Sequence, residues 1–212
     1  RRRHDNWCAF TSLTMTEHQP DLGPAAPVDL ALPLPPALPA PQVAAPKRRA
    51  SPAFLLRHLG HFIALGAGSG LSPVAPGTVG TLWAWASYLM LSLWLDGSGW
   101  AWVITLGLVI GWWACTVTAR HAGIADPGFI VWDEIIAFWI VLWVITPAGL
   151  GLQFAAFLLF RYFDAAKPGP VGWADRYFKG GGWRGGFGII FDDLIAGLCT
   201  LLVLAVWIRW QG

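Results

Sequence analysis

Charge is what this 212-residue sequence has least of. Lys, Arg, Asp and Glu together make up 12% of it, against the roughly 25% of an ordinary soluble domain. That shortfall argues against a freely soluble globular protein. A net charge of +2 excludes the broad positive field that nucleic-acid binding needs. Cysteine is nearly absent as well. Cys8, Cys115 and Cys199 are far apart and odd in number, with no Cys-x-x-Cys, so neither a disulfide framework nor a thiolate metal site is expected. Cys115 and Cys199 fall in apolar runs and read as small packing residues. Five histidines form no paired motif, and His58 and His61 read as polar residues turned outward on a short helix at a membrane surface. No Gly-Lys-Ser/Thr follows a glycine-rich loop, which excludes a P-loop.

What is present is apolar and aromatic. The sequence is 56% hydrophobic with 15 Trp, and its mean hydropathy is +0.54. These values point to an all-α, polytopic membrane bundle of about four to five spans. Residues 1–50 are expected to form a disordered tail, because the Pro/Ala-rich stretch from Pro20 to Pro46 cannot bury enough apolar surface to offset ordering entropy. Met15 is the expected start, since the sequence opens without a methionine. Lys47-Arg48-Arg49 follows the Pro/Ala stretch and suits a lipid surface. Residues 51–212 are expected to form a membrane-embedded domain.

That domain opens with an amphipathic helix over Pro52–Leu65, with Ser51 as its N-cap, too short to span. A Gly/Pro/Ser loop, Gly66–Gly80, comes next; its glycines permit close backbone approach to a ligand. Apolar segments follow at Val79–Leu95, Trp100–Ala119, Val131–Ile145, Leu150–Phe163 and Gly188–Ile208. Arg120–Ile130 and Asp164–Phe187 read as polar loops. Five spans alternate sides. Arg49, Arg57, Arg120, Lys167, Arg176, Lys179 and Arg184 then share one side with Lys47 and Arg48, while Arg209 is alone on the other. The positive-inside rule makes the first side cytoplasmic.

The few acids are placed unevenly. Asp133 and Glu134 lead one apolar run, Asp192 and Asp193 lead another, and Asp164 closes a third beside Arg161 and Lys167. An acid within a span costs about 2.5–3.5 kcal/mol at the bilayer centre, so residues kept there are expected to have a use. Span counting brings all of them, and the Gly66–Gly80 loop, to the cytoplasmic face. Carboxylates with nearby Lys and Arg suit a hard cation and a phosphate. Neighbouring acids on a helix point about 100° apart, so one of each pair can face the bundle centre. Arg161 and Lys167 can neutralise phosphate, and Ser72, Gly77 and Thr78 can supply hydroxyl and backbone donors. For a single pair, a helix-dipole role is an equal reading.

The segments GSGLSPVAPGTVGTL, VWDEIIAFW, FRYFDAAKPGP and GGFGIIFDDLIAG, in that order, resemble the motif set of the bacterial phosphatidylglycerophosphatase A family over about Phe62 to Ile208. The resemblance implies Mg²⁺-dependent hydrolysis of phosphatidylglycerophosphate, a membrane lipid, to phosphatidylglycerol and phosphate at a multi-pass bacterial inner-membrane protein whose site faces the cytoplasm. It also implies a catalytic and metal-binding set of Asp133, Glu134, Asp164, Asp192 and Asp193, catalytic Lys167, and phosphate binding by Ser72, Gly77, Thr78, Arg161 and Lys167. Ala137, Thr81 and Ile190 depart from the family pattern on the scale of packing. No residue in the sequence visibly reads a glycerol headgroup. The alternative is a cation transporter using the acids as an ion path, which predicts acids in mid-span. A CDP-alcohol phosphotransferase would need an Asp-x-x-Asp-Gly…Gly…Asp pattern, which is missing, and a non-catalytic scaffold leaves the acids unexplained.

Overall fold

The structure is a computed structural model that describes residues 49–178 and 182–211. The tail expected over residues 1–50 lies outside that range except for Arg49 and Ala50, as does Lys179. The described residues form α-helices and one 3-10 turn, with no strand. In order, the helices are α1 (Pro52–Leu55), α2 (Leu59–Ala64), α3 (Pro76–Leu91), α4 (Gly97–Ala122), α5 (Trp132–Ile145), α6 (Leu150–Ala166), α7 (Pro170–Phe178) and α8 (Gly182–Gln211).

The single helix expected over Pro52–Leu65 is broken in two. Ser51 caps α1 as expected, its side chain accepting from the Phe54 N–H. His58 then takes an extended backbone and its Nδ1 accepts from the Gly60 N–H, so it caps α2 instead of continuing α1. The histidines do not both face outward. His61 is 2% exposed and packed under Phe54, whose ring stacks on it at 4.0 Å. The Phe54 carbonyl can only accept, so His61 Nδ1 donates to it at 2.7 Å. His61 Nε2 therefore accepts from His121 Nδ1 at 2.8 Å in the neutral pair. Burial lowers the His61 pKa below its usual 6.5, and the neighbouring His121, His58 and Arg57 act in the same direction against the Phe54 bond.

Helix α5 is the centre of the packing. Ile135, Ile136, Ala137, Phe138, Val141 and Leu142 are all buried, so it is enclosed around its circumference. It packs against α3, α4, α6 and α8. The Val131 N–H donates to the Ala64 carbonyl at 2.9 Å, which ties the start of α5 to α2.

Among the described residues, two helices, rather than four or five, are by themselves long and apolar enough to cross a membrane: Gly97–Ala122 and Gly182–Trp210. Length is the reason. A rise of 1.5 Å per residue makes the 14 residues of α5 about 21 Å long, against a hydrocarbon core of about 30 Å. The 16 residues of α3 and the 17 of α6 also fall short. The region expected to be a polar loop, Asp164–Phe187, instead holds α7 and the first turns of α8. Apolar side chains cover the outside. Leu150, Phe154, Leu158 and Tyr162 stand exposed at four-residue spacing on α6, as do Leu198, Leu202, Val206 and Trp210 on α8.

Candidate functional site

The first turn of α5 carries Asp133 and Glu134, and the two diverge as helical geometry requires. Glu134 points toward α3 and α6. Its Oε1 accepts from Arg161 Nη1 at 3.2 Å, and the same nitrogen donates to Asp164 Oδ2 at 2.6 Å and to Thr81 Oγ1 at 3.3 Å. Arg161 and Asp164 are one turn apart on α6, so a single helix face presents both. Asp133 is buried, and its charge is felt by Cys115 of α4 and by Asp193 of α8.

Carboxylate oxygens of Glu134, Asp164 and Asp193 all lie within 4.8 Å of one another. Three carboxylates at this separation are the donor set that a hard divalent cation prefers. Glu134 Oε2 and Asp133 Oδ1 are buried with no hydrogen-bond partner, a costly arrangement for ionised groups unless a cation or substrate completes it. The residues present therefore fit a Mg²⁺-like ion.

Lys167 sits at the end of α6, where its left-handed backbone (φ 44°) turns the chain into α7. Its Nζ donates to Asp192 Oδ2 and, at 2.8 Å, to Asp175 Oδ1. Burial alone would lower the Lys167 pKa; its bonds to Asp175 and Asp192 outweigh that and raise it. The ammonium is fixed between two helices and remains charged.

Gly77 lies where α3 approaches Glu134. A Cβ there would sit 2.7 Å from Glu134 Cδ and 2.9 Å from Oε2, and would overlap Oε1 outright. Gly80, one turn on, would place a Cβ 3.1 Å from Glu134 Oε2. The glycines of this segment thus admit a carboxylate against the helix backbone. Thr78 is half-buried in the same turn. Ser72 is set apart from the acids: its hydroxyl donates to the Val74 carbonyl at 2.8 Å, and it lines a separate cavity.

The structure brings Asp133, Glu134, Arg161, Asp164, Lys167, Asp192 and Asp193 into one linked network, with Gly77 at its edge. It adds two residues that sequence reasoning did not single out. Thr81 joins Arg161, with its own hydroxyl donating to the Gly77 carbonyl at 2.9 Å. Asp175 holds Lys167. Thr81 stood in the quoted motif as a packing difference. Asp175, eight residues past Lys167, carried no signal until α7 was seen to fold back on α8.

All-helical in its described residues, with apolar outer faces and a buried cluster of carboxylates around Arg and Lys, the chain has the features of a membrane-associated protein with a polar site inside it. The chain belongs to the phosphatidylglycerophosphatase A family, whose sequence profile matches residues 62–208. It is 39% identical over 144 residues to phosphatidylglycerophosphatase A of Escherichia coli strain K12, an alignment covering 68% of this chain and 80% of that protein. It is 35% identical over 151 residues to phosphatidylglycerophosphatase A of Haemophilus influenzae, covering 71% of this chain and 90% of that protein. No solved structure gives a significant match.

Proposed function

We propose that this protein hydrolyses the terminal phosphate monoester of phosphatidylglycerophosphate, releasing phosphate and leaving phosphatidylglycerol in the bilayer. The observation that carries this is the cluster of Glu134, Asp164 and Asp193, with Arg161 bonded to the first two, in a chain of this family. Mg²⁺ would be held by Glu134, Asp164 and Asp193, with Asp133 and Asp192 beside them, and when bound it would polarise the phosphate and favour deprotonation of the attacking water. Arg161 and Lys167 supply positive charge to the phosphate oxygens. Asp133, whose Oδ1 is buried without a hydrogen-bond partner, would take the proton from water. The water oxygen forms the new bond to phosphorus, the bond from phosphorus to the glycerol oxygen breaks, and the proton passes to that leaving oxygen. Gly77 and Thr78, at the start of α3, are the groups that approach the phosphate from outside.

The bilayer arrangement follows the same reading. Helices α3, α5 and α6 complete a multi-pass bundle with α4 and α8, too short to cross alone but enclosed by or packed beside longer neighbours. The exposed apolar stripe of α6 supports its contact with lipid. The excess of Lys and Arg at the acid-bearing end supports a site on the cytoplasmic side of the inner membrane.

The test is phosphate release from phosphatidylglycerophosphate by the purified full chain in detergent, with Mg²⁺ and then with EDTA, beside Asp133→Asn. Metal-dependent release that falls by at least a hundredfold in the variant is expected. No release from folded protein would overturn the assignment.

A further inference from the structure

A second concavity lies next to the acid cluster and takes no part in the chemistry described above. It has a volume of about 1040 Å³ and is formed by two loops and the residues leading into α1. One wall is the turn from Gly70 to Pro76; the other is the α4–α5 connection from Ala122 to Phe129; Arg49 stands at its edge. Small-molecule sites occupy about 300–1,000 Å³, so the space is ample for a lipid headgroup.

The walls are held together by packing. A Cβ at Gly70 would collide with the Phe129 carbonyl oxygen, so the two loops meet backbone to backbone there. Pro127 and Phe129 are buried, and the Ile130 N–H donates to the Pro127 carbonyl at 2.9 Å, which closes the connection into α5. The cavity is thus built on the same short segment that delivers Asp133 and Glu134.

Its lining is chemically mixed. Arg49 brings a guanidinium fork suited to phosphate oxygens and Asp126 a carboxylate that accepts from hydroxyls. Pro76 of the lining precedes Gly77, which lies directly against the Glu134 carboxylate. Cavity and acid cluster therefore share a border. A ligand with its terminal phosphate at the acids would extend its next few atoms into this space.

We propose that this cavity binds the glycerol and phosphodiester portion of the substrate headgroup, with Arg49 on the phosphodiester and Asp126 on the glycerol hydroxyl. The inference rests on the reaction proposed above and supplies what the acid cluster lacks, a means of telling a phosphoglycerol headgroup from any other phosphate monoester.

Isothermal titration calorimetry on the full chain in detergent tests it with two probes. Glycerophosphoglycerol carries the phosphodiester and glycerols but no phosphate monoester, whereas inorganic phosphate carries neither glycerol nor diester. The wild type is expected to bind both. Arg49→Ala, at an exposed position, weakens glycerophosphoglycerol about tenfold and shifts phosphate by less than twofold. Arg49→Lys, which keeps the charge but loses the fork, falls between. The proposal is overturned if the wild type does not bind glycerophosphoglycerol, if Arg49→Ala binds it as the wild type does, or if both probes weaken equally. Hydrolysis of phosphatidylglycerophosphate is measured in parallel. Turnover without glycerophosphoglycerol binding sinks the cavity assignment alone; binding without turnover sinks the reaction.

Discussion

Replacing Gly77 with alanine separates activity from stability. The new methyl group would lie 2.7 Å from Glu134 Cδ and overlap Oε1, while ordinary contact begins at 3.4 Å. The obstacle is the end of a flexible side chain rather than backbone, so Glu134 yields and the helices stay in place. Its carboxylate must retreat by about 1 Å, and misplacement on that scale costs about a hundredfold in rate. That corresponds to about 2.7 kcal/mol of transition-state stabilisation. The retreat also strains the 3.2 Å bond to Arg161 and pulls one oxygen out of the cluster with Asp164 and Asp193. The fold itself loses little, because alanine is the better helix former by up to about 1 kcal/mol. Phosphate release by Gly77→Ala is thus expected at about 1% of wild type, with a thermal unfolding midpoint within about 4 °C of it. A variant that keeps more than a third of its activity would show that the carboxylate of Glu134 need not lie against α3, and the reasoning would fail.

Asp175→Asn keeps the shape of the contact with Lys167 but removes its charge; a drop of about tenfold in kcat/KM carried mainly by KM, with partial rescue by Asp175→Glu, is expected in steady-state assays. Arg161→Gln leaves Glu134 and Asp164 without their shared cation, and chemical denaturation should show about 2–3 kcal/mol of lost stability together with loss of phosphate release. For His61 the sign follows from its lowered pKa: below its usual 6.5 the unfolded chain binds the proton more readily than the folded one, so stability falls as pH drops through the range just beneath that value. Thermal midpoints between pH 7.5 and 5.5 should decline in the wild type and flatten in His61→Gln; parallel slopes would refute the buried neutral pair with His121.

Much of the site was visible before any coordinates. Scarcity of charge made each acid conspicuous; Glu134, Asp164 and Asp193 lie together, Arg161 bonds the first two and Lys167 bonds Asp192. Asp175 was not visible, because a single acid in a stretch rich in Gly, Pro and basic residues looks like any solvated loop residue. His61 was misread for a related reason. Its spacing from His58 suits a common helix face, but His58 stops one helix and starts the next, which turns His61 inward.

Composition and periodicity are local properties, and they sufficed for the all-helical class and the apolar exterior, while the family was carried by four short motifs in order. The choice of partners was decided only by packing. Glu134 meets Arg161 because α5 packs against α3, α4, α6 and α8, and its first turn brings that carboxylate to the side where α6 presents the guanidinium. Lys167 lies between Asp175 and Asp192 because α7 folds back on α8. Contacts such as Thr81 with Arg161, 80 residues apart, depend on how whole helices cross, and side-chain pairing across such a crossing leaves no trace in the sequence near either residue.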